Sequence, residues 1–490
     1  MRHRWCACVL AVLCLVAIAE AKSNPAAHKN VPTRLPVTTS RALARKHFER
    51  AMQNQEYMRR DDALQDLRAA VKSDPNFAQA LILISYLSHD PGEQQGTRTR
   101  AKQLAARVTP AERLLIRWLA GVQENNYVPA IAAMNDLLNQ YPQDQRLGFL
   151  AGGWLVSQER YAHAVVVLER AVAVDPNYAA AVNELGYAYA FSGEFEKGFA
   201  AMARYVALQP DQPNPYDSYG EILRLAGKFE AALEQYRNSI KIDPNFGSEL
   251  GVADTYAVMG KEEEAREEYA RAIVFVGSES DKVEYELQSA TTWIRENNRK
   301  QAERALRDVA RHAHAAGLAR LEAEAHRVLA MYAADYKAAM KEVQAAHNTL
   351  EERHEMSRSD RDEERARILR VLAARSAEAQ AMDSASVAVK QLEGMAQNSH
   401  SHVIQLSYHA AAGAVLAAQG NYKEAIPHLE EDSSDPLSMR LLWRAYSSTG
   451  AAAQAEALAT KLAALNVPTA EQALVVPQFR ADLVSQSRQP

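Results

Sequence analysis

Histidines are the residues of this sequence best suited to holding a metal ion, and the chain has 14 of them. Two ligands on one helical face must stand three or four residues apart. His312 and His314 are only two apart, and so are His400 and His402. This spacing predicts surface histidines and no metal site.

A second pattern of interest is His354-Glu355, which begins like the zinc-binding helix of a metalloprotease. Arg358 stands where the second histidine should be, so the pattern is incomplete. The chain has no Gly-rich phosphate loop followed by Lys-Ser or Lys-Thr, and no Gly-x-Ser-x-Gly elbow. We therefore expect no enzyme activity and no cofactor. A small catalytic domain within residues 279–405 is the alternative, although no set of catalytic roles can be named there.

Composition and charge narrow the class of protein. Of the 490 residues, 48% are hydrophobic and 24% are charged, and the formal net charge is −5. Abundant alanine and few β-branched runs favour helix. Without an overall basic field the chain has nothing to attract nucleic acid or an anionic membrane, so we expect no nucleic-acid partner.

Prolines return at intervals of 32 to 35 residues through the first half of the chain. They are Pro75, Pro110, Pro142, Pro176, Pro210 and Pro244. Proline removes an amide donor and moves the preceding residue away from the helical conformation. A proline every 34 residues therefore predicts a helix end every 34 residues.

Small and large side chains recur in step between these prolines. Gly193, Gly227 and Gly260 fit the turn after a first helix, where a left-handed residue ends it cheaply. A second helix repeats a small–large–small set: Ala164, Leu168 and Ala171, then Ala232, Tyr236 and Ser239, then Ala265, Tyr269 and Ala272. Spacings of four and three place each set on one helical face, where a small residue lets two antiparallel helices approach.

A 34-residue helix-turn-helix unit with small residues at fixed places and a proline near its end resembles the tetratricopeptide repeat (TPR). The resemblance implies an all-α fold, an α-solenoid of ten to twelve tandem TPR-like hairpins wound into a superhelix. From 279 to 405 the proline stops disappear, which predicts longer helices. Gly92 to Arg100 is rich in Gly, Gln and Thr and is predicted to be a loop.

The N-terminus has the pattern of a secretory signal. Two arginines precede an uncharged apolar stretch at residues 5–18, and Ala19-Glu20-Ala21 offers the small residues that signal peptidase accepts. All three cysteines lie inside this segment. We expect cleavage after Ala21, an exported protein that is periplasmic or extracellular, and no transmembrane span in the mature chain. A membrane anchor is the alternative, although about 15 apolar residues fall short of the roughly 20 that a span needs.

The predicted organisation follows from these patterns. It comprises a signal peptide at 1–21, a flexible tether at 22–40, degenerate N-terminal TPR-like repeats at 41–144, well-matched repeats at 145–278, divergent helical repeats at 279–405, C-terminal repeats at 406–466 and a frayed tail at 467–490.

The resemblance also implies a binding surface, because the first helix of each TPR unit lines the concave face on which partner segments lie. Transferring those places gives Phe149, Asn183, Tyr187, Phe191, Asp217, Glu221, Arg224 and Asp254. The asparagine could bond to a peptide backbone, the aromatic rings supply rigid contact area, and the carboxylates favour a basic or neutral partner segment. Alternatively these are ordinary surface residues, with Tyr187 and Phe191 packing on each other.

The expected function is a non-catalytic protein–protein interaction scaffold outside the cytoplasm. A small-ligand or glycan receptor using the same concave face is the alternative, suggested by Tyr187, Phe191 and Trp154. The last unit, Leu437 to Leu465, has no obvious polar cap, which leaves a homo-oligomer open.

Overall fold

The computed structural model of the chain describes residues 34–88, 90–352 and 356–487. Within these residues every regular element is helical, with 25 α-helices, one short 3-10 turn at Ala105–Arg107 and no strand. The predicted all-α class is therefore confirmed.

The helices follow one another with short connections. The first eight are α1 Ala42–Glu56, α2 Arg60–Ser73, α3 Ala78–Leu87, α4 Pro91–Leu104, α5 Pro110–Gln123, α6 Tyr127–Gln140, α7 Gln145–Ser157 and α8 Tyr161–Val174. The next eight are α9 Ala179–Phe191, α10 Phe195–Leu208, α11 Pro213–Leu225, α12 Phe229–Ile242, α13 Glu249–Met259, α14 Glu262–Phe275, α15 Glu279–Arg295 and α16 Arg299–Ala315. The last nine are α17 Ala319–Tyr332, α18 Tyr336–Glu352, α19 Arg358–Glu378, α20 Met382–Asn398, α21 His402–Ala418, α22 Tyr422–Glu431, α23 Pro436–Thr449, α24 Ala452–Ala463 and α25 Ala470–Ser487.

Successive helices pair as hairpins from α1–α2 to α23–α24, and the hairpins stack in order. The described residues thus hold twelve hairpins, with α25 left over. From α7 onward each odd-numbered helix also contacts the next odd-numbered helix, whereas even-numbered helices make no comparable contact with one another. The odd-numbered helices therefore line the inner, concave side of the stack, as expected of an α-solenoid.

The predicted close approach of helices at small residues is confirmed, because there is no room for a larger side chain at these positions. A Cβ on Gly186 of α9 would lie 2.7 Å from the methyl carbon of Met202 on α10, and one on Gly251 of α13 would overlap the ring of Tyr236 on α12. Gly227, with φ of 74°, ends its helix in the left-handed conformation as predicted.

Five of the six helices of the divergent region are longer than those before it, as the loss of proline stops predicts, while α17 has 14 residues. α15 and α16 have 17 residues each and α19 has 21, against 13 or 14 in α9 to α12. In contrast, the predicted loop at Gly92 to Arg100 is wrong. These residues belong to α4, whose first turn is capped by Asp90, because its carboxylate accepts from the backbone N–H of Glu93 at 2.6 Å.

The predicted tether at 22–40 is wrong for residues 34–40, while residues 22–33 lie outside the described residues. The extended stretch is held against the early hairpins, since Leu35 N donates to Asp144 Oδ2 at 2.7 Å and Thr38 N donates to Glu112 Oε1 at 2.7 Å. Both carboxylates belong to the N-terminal ends of concave helices, α7 and α5.

The predicted frayed tail at 467–490 is wrong as far as the described residues go. Most of it forms α25, in which Val475, Val476 and Phe479 are buried against α23 and α24. Burial of this apolar face stabilises the helix despite Pro477 in its interior. The apolar surface of the last hairpin is thereby packed against α25.

Hairpins far apart in sequence also meet, so that the superhelix closes on itself. The hydroxyl of Tyr127 lies 2.9 Å from Ser359 Oγ and donates to Glu363 Oε1 at 3.0 Å, across 232 and 236 residues of sequence. Asn125 donates to Asp362 at 3.0 Å beside them. No helix in the described part of the chain is long and apolar enough to cross a lipid bilayer.

Candidate functional site

The eight residues predicted to line the groove lie on concave helices, but the structure divides them by exposure. Four are buried: Phe149, Asn183, Arg224 and Asp254. Three are half-buried, namely Tyr187, Asp217 and Glu221, and Phe191 is 38% exposed.

Phe149 contributes to packing at the N-terminal end of the concave side. Its ring meets the Tyr178 ring edge-on at 6.1 Å and lines a cavity partly covered by Leu35 and Val37. It therefore belongs to the surface that residues 34–40 already occupy.

An aromatic row continues along the next helices. Tyr187 and Phe191 stack with ring centroids 6.0 Å apart, and Tyr161 of α8 stacks on Phe191 at 5.1 Å. Trp154, in contrast, is buried edge-on against Trp118, so its ring offers no open stacking surface. Tyr161 lies outside the repeat positions used for prediction, which is why it was missed.

Acidic groups form the centre of the site, on α11 and α13. The hydroxyl of Tyr187 donates to Glu221 Oε2 at 2.7 Å. Burial raises the pKa of Asp217 to about 7 and that of Asp254 to about 6. Tyr269 donates to Asp254 Oδ1 at 2.6 Å, which favours the ionised form and limits the second shift.

Arg224 is a cation within this acidic group and is only 3% exposed, and Arg295 of α15 is a second cation that acts on Asp254. Burial by itself would lower its pKa, but Tyr236, Asp254 and Glu221 together raise it above the ordinary value. Its guanidinium lies 3.4 Å from Glu221 Oε1 and 3.9 Å from Asp254 Oδ2. Its Nη1 donates to the backbone oxygen of Asn466 at 3.0 Å.

Asn183 brings an unusual feature to the same face. Its side chain is buried, 1% exposed as a residue, and neither Oδ1 nor Nδ2 has a partner among the described residues. It stands one helical turn before Tyr187, so the two share a face of α9. A buried amide left unpaired costs about 1–3 kcal/mol, so a bound group that pairs with it would recover that energy.

Two further residues near the predicted positions were not predicted from the sequence. Glu184, next to Asn183, has its pKa raised to about 7 by burial, and its carboxylate lies beside Gly153 of α7. Asn466 reaches Arg224 across 242 residues of sequence. A polar residue adjacent to a predicted groove position could have indicated Glu184, but no local signal indicates Asn466.

No three metal-ligating side chains come together anywhere in the described residues. The imidazole of His312 lies between Glu279 and Glu286, at 3.0 and 2.8 Å, and the hydrogen bond to Glu286 is the main reason that its pKa is raised. The pattern beginning at His354-Glu355 lies outside the described residues.

One segment of the sequence matches the profile of a known protein family. The profile of the family described as tetratricopeptide repeat matches residues 214–246, which cover most of α11 and all of α12. No curated protein sequence matches the chain significantly.

Several solved structures are similar at low identity. One, titled as the APC/C hetero-tetramer Cut9–Hcn1, has 16% identity and a TM-score of 0.39, with 85% of this chain and 79% of that chain covered. A thermophilic TPR protein of Thermus thermophilus has 20% identity and a TM-score of 0.28, with 47% and 99% covered. YrrB, titled as a TPR protein with an unusual peptide-binding site, has 14% identity and a TM-score of 0.26, with 37% and 92% covered.

The family match and the hairpin geometry agree where they overlap. α11 and α12 form one hairpin, with Gly227 in the turn and the small residue Ala232 buried on the second helix. Residues 214–246 of this chain therefore match the tetratricopeptide repeat, as one hairpin of an α-solenoid of helical hairpins.

Proposed function

We propose that this protein is a non-catalytic binding scaffold whose concave face takes an extended, basic segment of a partner protein. The observation that carries the proposal is the excess of carboxylates around Arg224 on α11 and α13. Asp217, Glu221 and Asp254 lie near its guanidinium. Asp217 has no cation within ion-pair distance among the described residues, so a lysine or arginine side chain of a partner could pair with it.

The chain's own residues 34–38 support an extended mode of binding. They run along the concave side with two backbone N–H groups on carboxylates of concave helices, at 2.7 Å each. A partner strand bound at α9 and α11 would use the same chemistry. Its cation would lie against Asp217 and Glu221.

The direct test compares short labelled peptides by fluorescence anisotropy. The probes are extended octapeptides containing lysine and arginine, with acidic peptides of the same length beside them. The variant Asp217→Asn/Glu221→Gln removes two charges while keeping side-chain volume, and we expect it to bind the basic peptides about tenfold more weakly, equal to about 1.4 kcal/mol.

The matched control is Glu230→Gln/Glu234→Gln, which removes two exposed charges from the outer helix α12. It should bind the basic peptides like the wild type. Equal binding of basic and acidic peptides, or an unchanged affinity in the Asp217→Asn/Glu221→Gln variant, contradicts the proposal. If the basic peptides bind as expected, capture from an envelope extract with both variants as bait would identify the natural partner.

A small-ligand or glycan receptor is the second candidate function. Trp154 is buried, so this second function is supported by the partly open stack of Tyr161, Phe191 and Tyr187. Stacking on such rings is a common way to bind the apolar face of a ligand. Thermal stabilisation of the wild type by sugars or small molecules, lost in Phe191→Ala, would favour it over a peptide scaffold.

We further propose that the protein acts outside the cytoplasm, on the evidence of the signal-like sequence at 1–21. Edman sequencing of the protein recovered from its native compartment tests this, since cleavage predicts a mature chain beginning at Lys22.

A further inference from the structure

α25 lies between parts of the superhelix that are distant in sequence. One face of it, through Val475, Val476 and Phe479, packs on α23 and α24, and the Phe479 ring meets Trp443 edge-on at 5.2 Å. On another side Ala473, together with Leu474, joins the apolar cluster of α15, α16 and α17. Because one helix serves two separate clusters, it connects the last hairpin with the middle of the array.

Arg480 connects this segment to a middle helix and also holds the segment's own shape. It donates to the backbone oxygen of Val258 at 3.4 Å, near the end of α13, which carries part of the candidate site. Within the segment it donates to the backbone oxygens of Ala463 at 2.8 Å and Leu465 at 3.1 Å. The connection before α25 is therefore folded against α25, and one hydrogen bond joins it to α13 in addition to the apolar contact.

A second polar anchor lies at the N-terminal end of α25. Glu471 is 3.4 Å from Arg327 of α17, which is also paired with the buried Glu364 of α19 at 2.7 Å. Glu364 is 1% exposed, and Arg327 pairs with its buried carboxylate whether or not Glu471 is in place. The contact to Glu471 can therefore be released without leaving a buried charge unpaired.

The link between this segment and the candidate site is Arg224. Its guanidinium faces Glu221 and Asp254 on one side and donates to the backbone oxygen of Asn466 on the other. Asn466 in turn donates to the backbone oxygen of Leu225 at 3.4 Å. An extended stretch of this chain thus already offers a backbone carbonyl to the site, in the position that a partner's backbone carbonyl would take.

We propose that residues 463–480, here named the strap, are an internal ligand of the concave groove, and that an extended partner segment must displace the Asn466 carbonyl from Arg224 to bind fully. This regulation rests on the proposed function of the same site. Strap docking and partner binding then both use the Arg224 guanidinium, so each weakens the other. The coupling is reciprocal because it is a difference of binding free energies.

The experiment uses the full chain and a labelled peptide with the sequence of residues 462–483. The variant Phe479→Ala/Arg480→Ala loses the aromatic anchor, the bond to Val258 and the two bonds to Ala463 and Leu465 that hold Asn466 in place, which weakens strap docking. We expect this variant to bind the peptide about tenfold more tightly than the wild type, whose groove is occupied. Adding Arg224→Ala should remove that gain.

The matched control is Gln478→Ala/Asp482→Ala on the exposed side of α25, which should bind like the wild type.

The basic octapeptides are measured on the same proteins. The strap variant should bind them about tenfold more tightly than the wild type. Equal binding of the strap peptide by wild type and strap variant overturns strap docking. Strap-peptide binding with an unchanged octapeptide affinity overturns the regulation and leaves the proposed function standing. Octapeptides that bind to no variant defeat the proposed function and, with it, the regulation.

Hydrogen exchange on the wild-type chain covers the case in which the strap variant loses helix content. Saturating basic octapeptide should speed amide exchange in α25 while slowing it in α9 and α11. Unchanged exchange in α25 with the octapeptide bound overturns the proposal.

Discussion

The charge of Asp217 should make the stability of this protein depend on pH in a way that one substitution removes. Burial raises its pKa from 3.8 to about 7. A raised carboxyl pKa stabilises the folded state fully below the unfolded pKa, and that stabilisation is lost as pH rises through the folded pKa. An asparagine at this position cannot ionise, so Asp217→Asn should gain stability relative to the wild type between about pH 4 and pH 8.

The size of the effect follows from the shift and from the setting of the side chain. A shift of about three pKa units corresponds to at most about 4 kcal/mol, at about 1.4 kcal/mol per unit. Asp217 is only half-buried and keeps part of its surface open to the groove, where water screens the charge. We therefore expect a gain of about 1–2 kcal/mol in the free energy of unfolding at the higher pH.

Urea unfolding followed by circular dichroism at both pH values measures this gain. The comparison of variant and wild type cancels the titration of groups that the two proteins share. Asp211→Asn, an exposed aspartate in the loop before the same helix, is the matched control. A stability difference between Asp217→Asn and wild type that stays constant across the pH range would refute the reasoning.

Three further substitutions test the packing that shapes the groove, each by urea unfolding. Gly251→Ala should lose about 1–3 kcal/mol, because its Cβ overlaps the Tyr236 ring; an unchanged midpoint would show that the ring can move. Arg327→Met should lose about 2–3 kcal/mol, because the buried Glu364 would keep only the longer contact to Arg367 at 3.4 Å; an unchanged midpoint would show that Arg367 alone satisfies it. Tyr127→Phe removes one hydroxyl between α6 and α19 and should lose about 1 kcal/mol with helix content unchanged; a larger loss would contradict a purely local contact.

The sequence predicts this fold well because the decisive interactions are local. Pro176 and Pro210 end hairpins, and Gly227 turns the chain between two helices whose packing depends on a small residue at position 232. Each of these is an interaction within about one repeat, which spacing alone can reveal.

The end segments show where such reasoning fails. Prolines and polar residues suggested a mobile tether and a frayed tail, yet Leu35 is bonded to Asp144 and Phe479 is buried. In both cases tertiary contact overrides local propensity, because the partner surface comes from another hairpin.

The candidate site was predicted only in part for the same reason. The TPR resemblance placed Tyr187, Asp217 and Glu221 on the groove face, and the structure brings them together. It could not show that Arg224 donates a hydrogen bond to Asn466, since the two residues are 242 positions apart. Superhelical winding sets which turns meet, and it accumulates from small rotations that no single repeat encodes.

The strap also has a consequence for the order in which this molecule takes shape during synthesis. Hairpins α9–α10 to α13–α14 can fold as they emerge from the ribosome, or from the export channel that the proposed location requires, since each contacts mainly its neighbours. Residues 463–480 are translated roughly 240 residues after Arg224, so the acidic groove exists for many seconds before the segment that covers it, at about 5–20 residues per second. A nascent chain therefore presents an open groove that the finished chain closes, and a partner already present at that stage would meet no competitor.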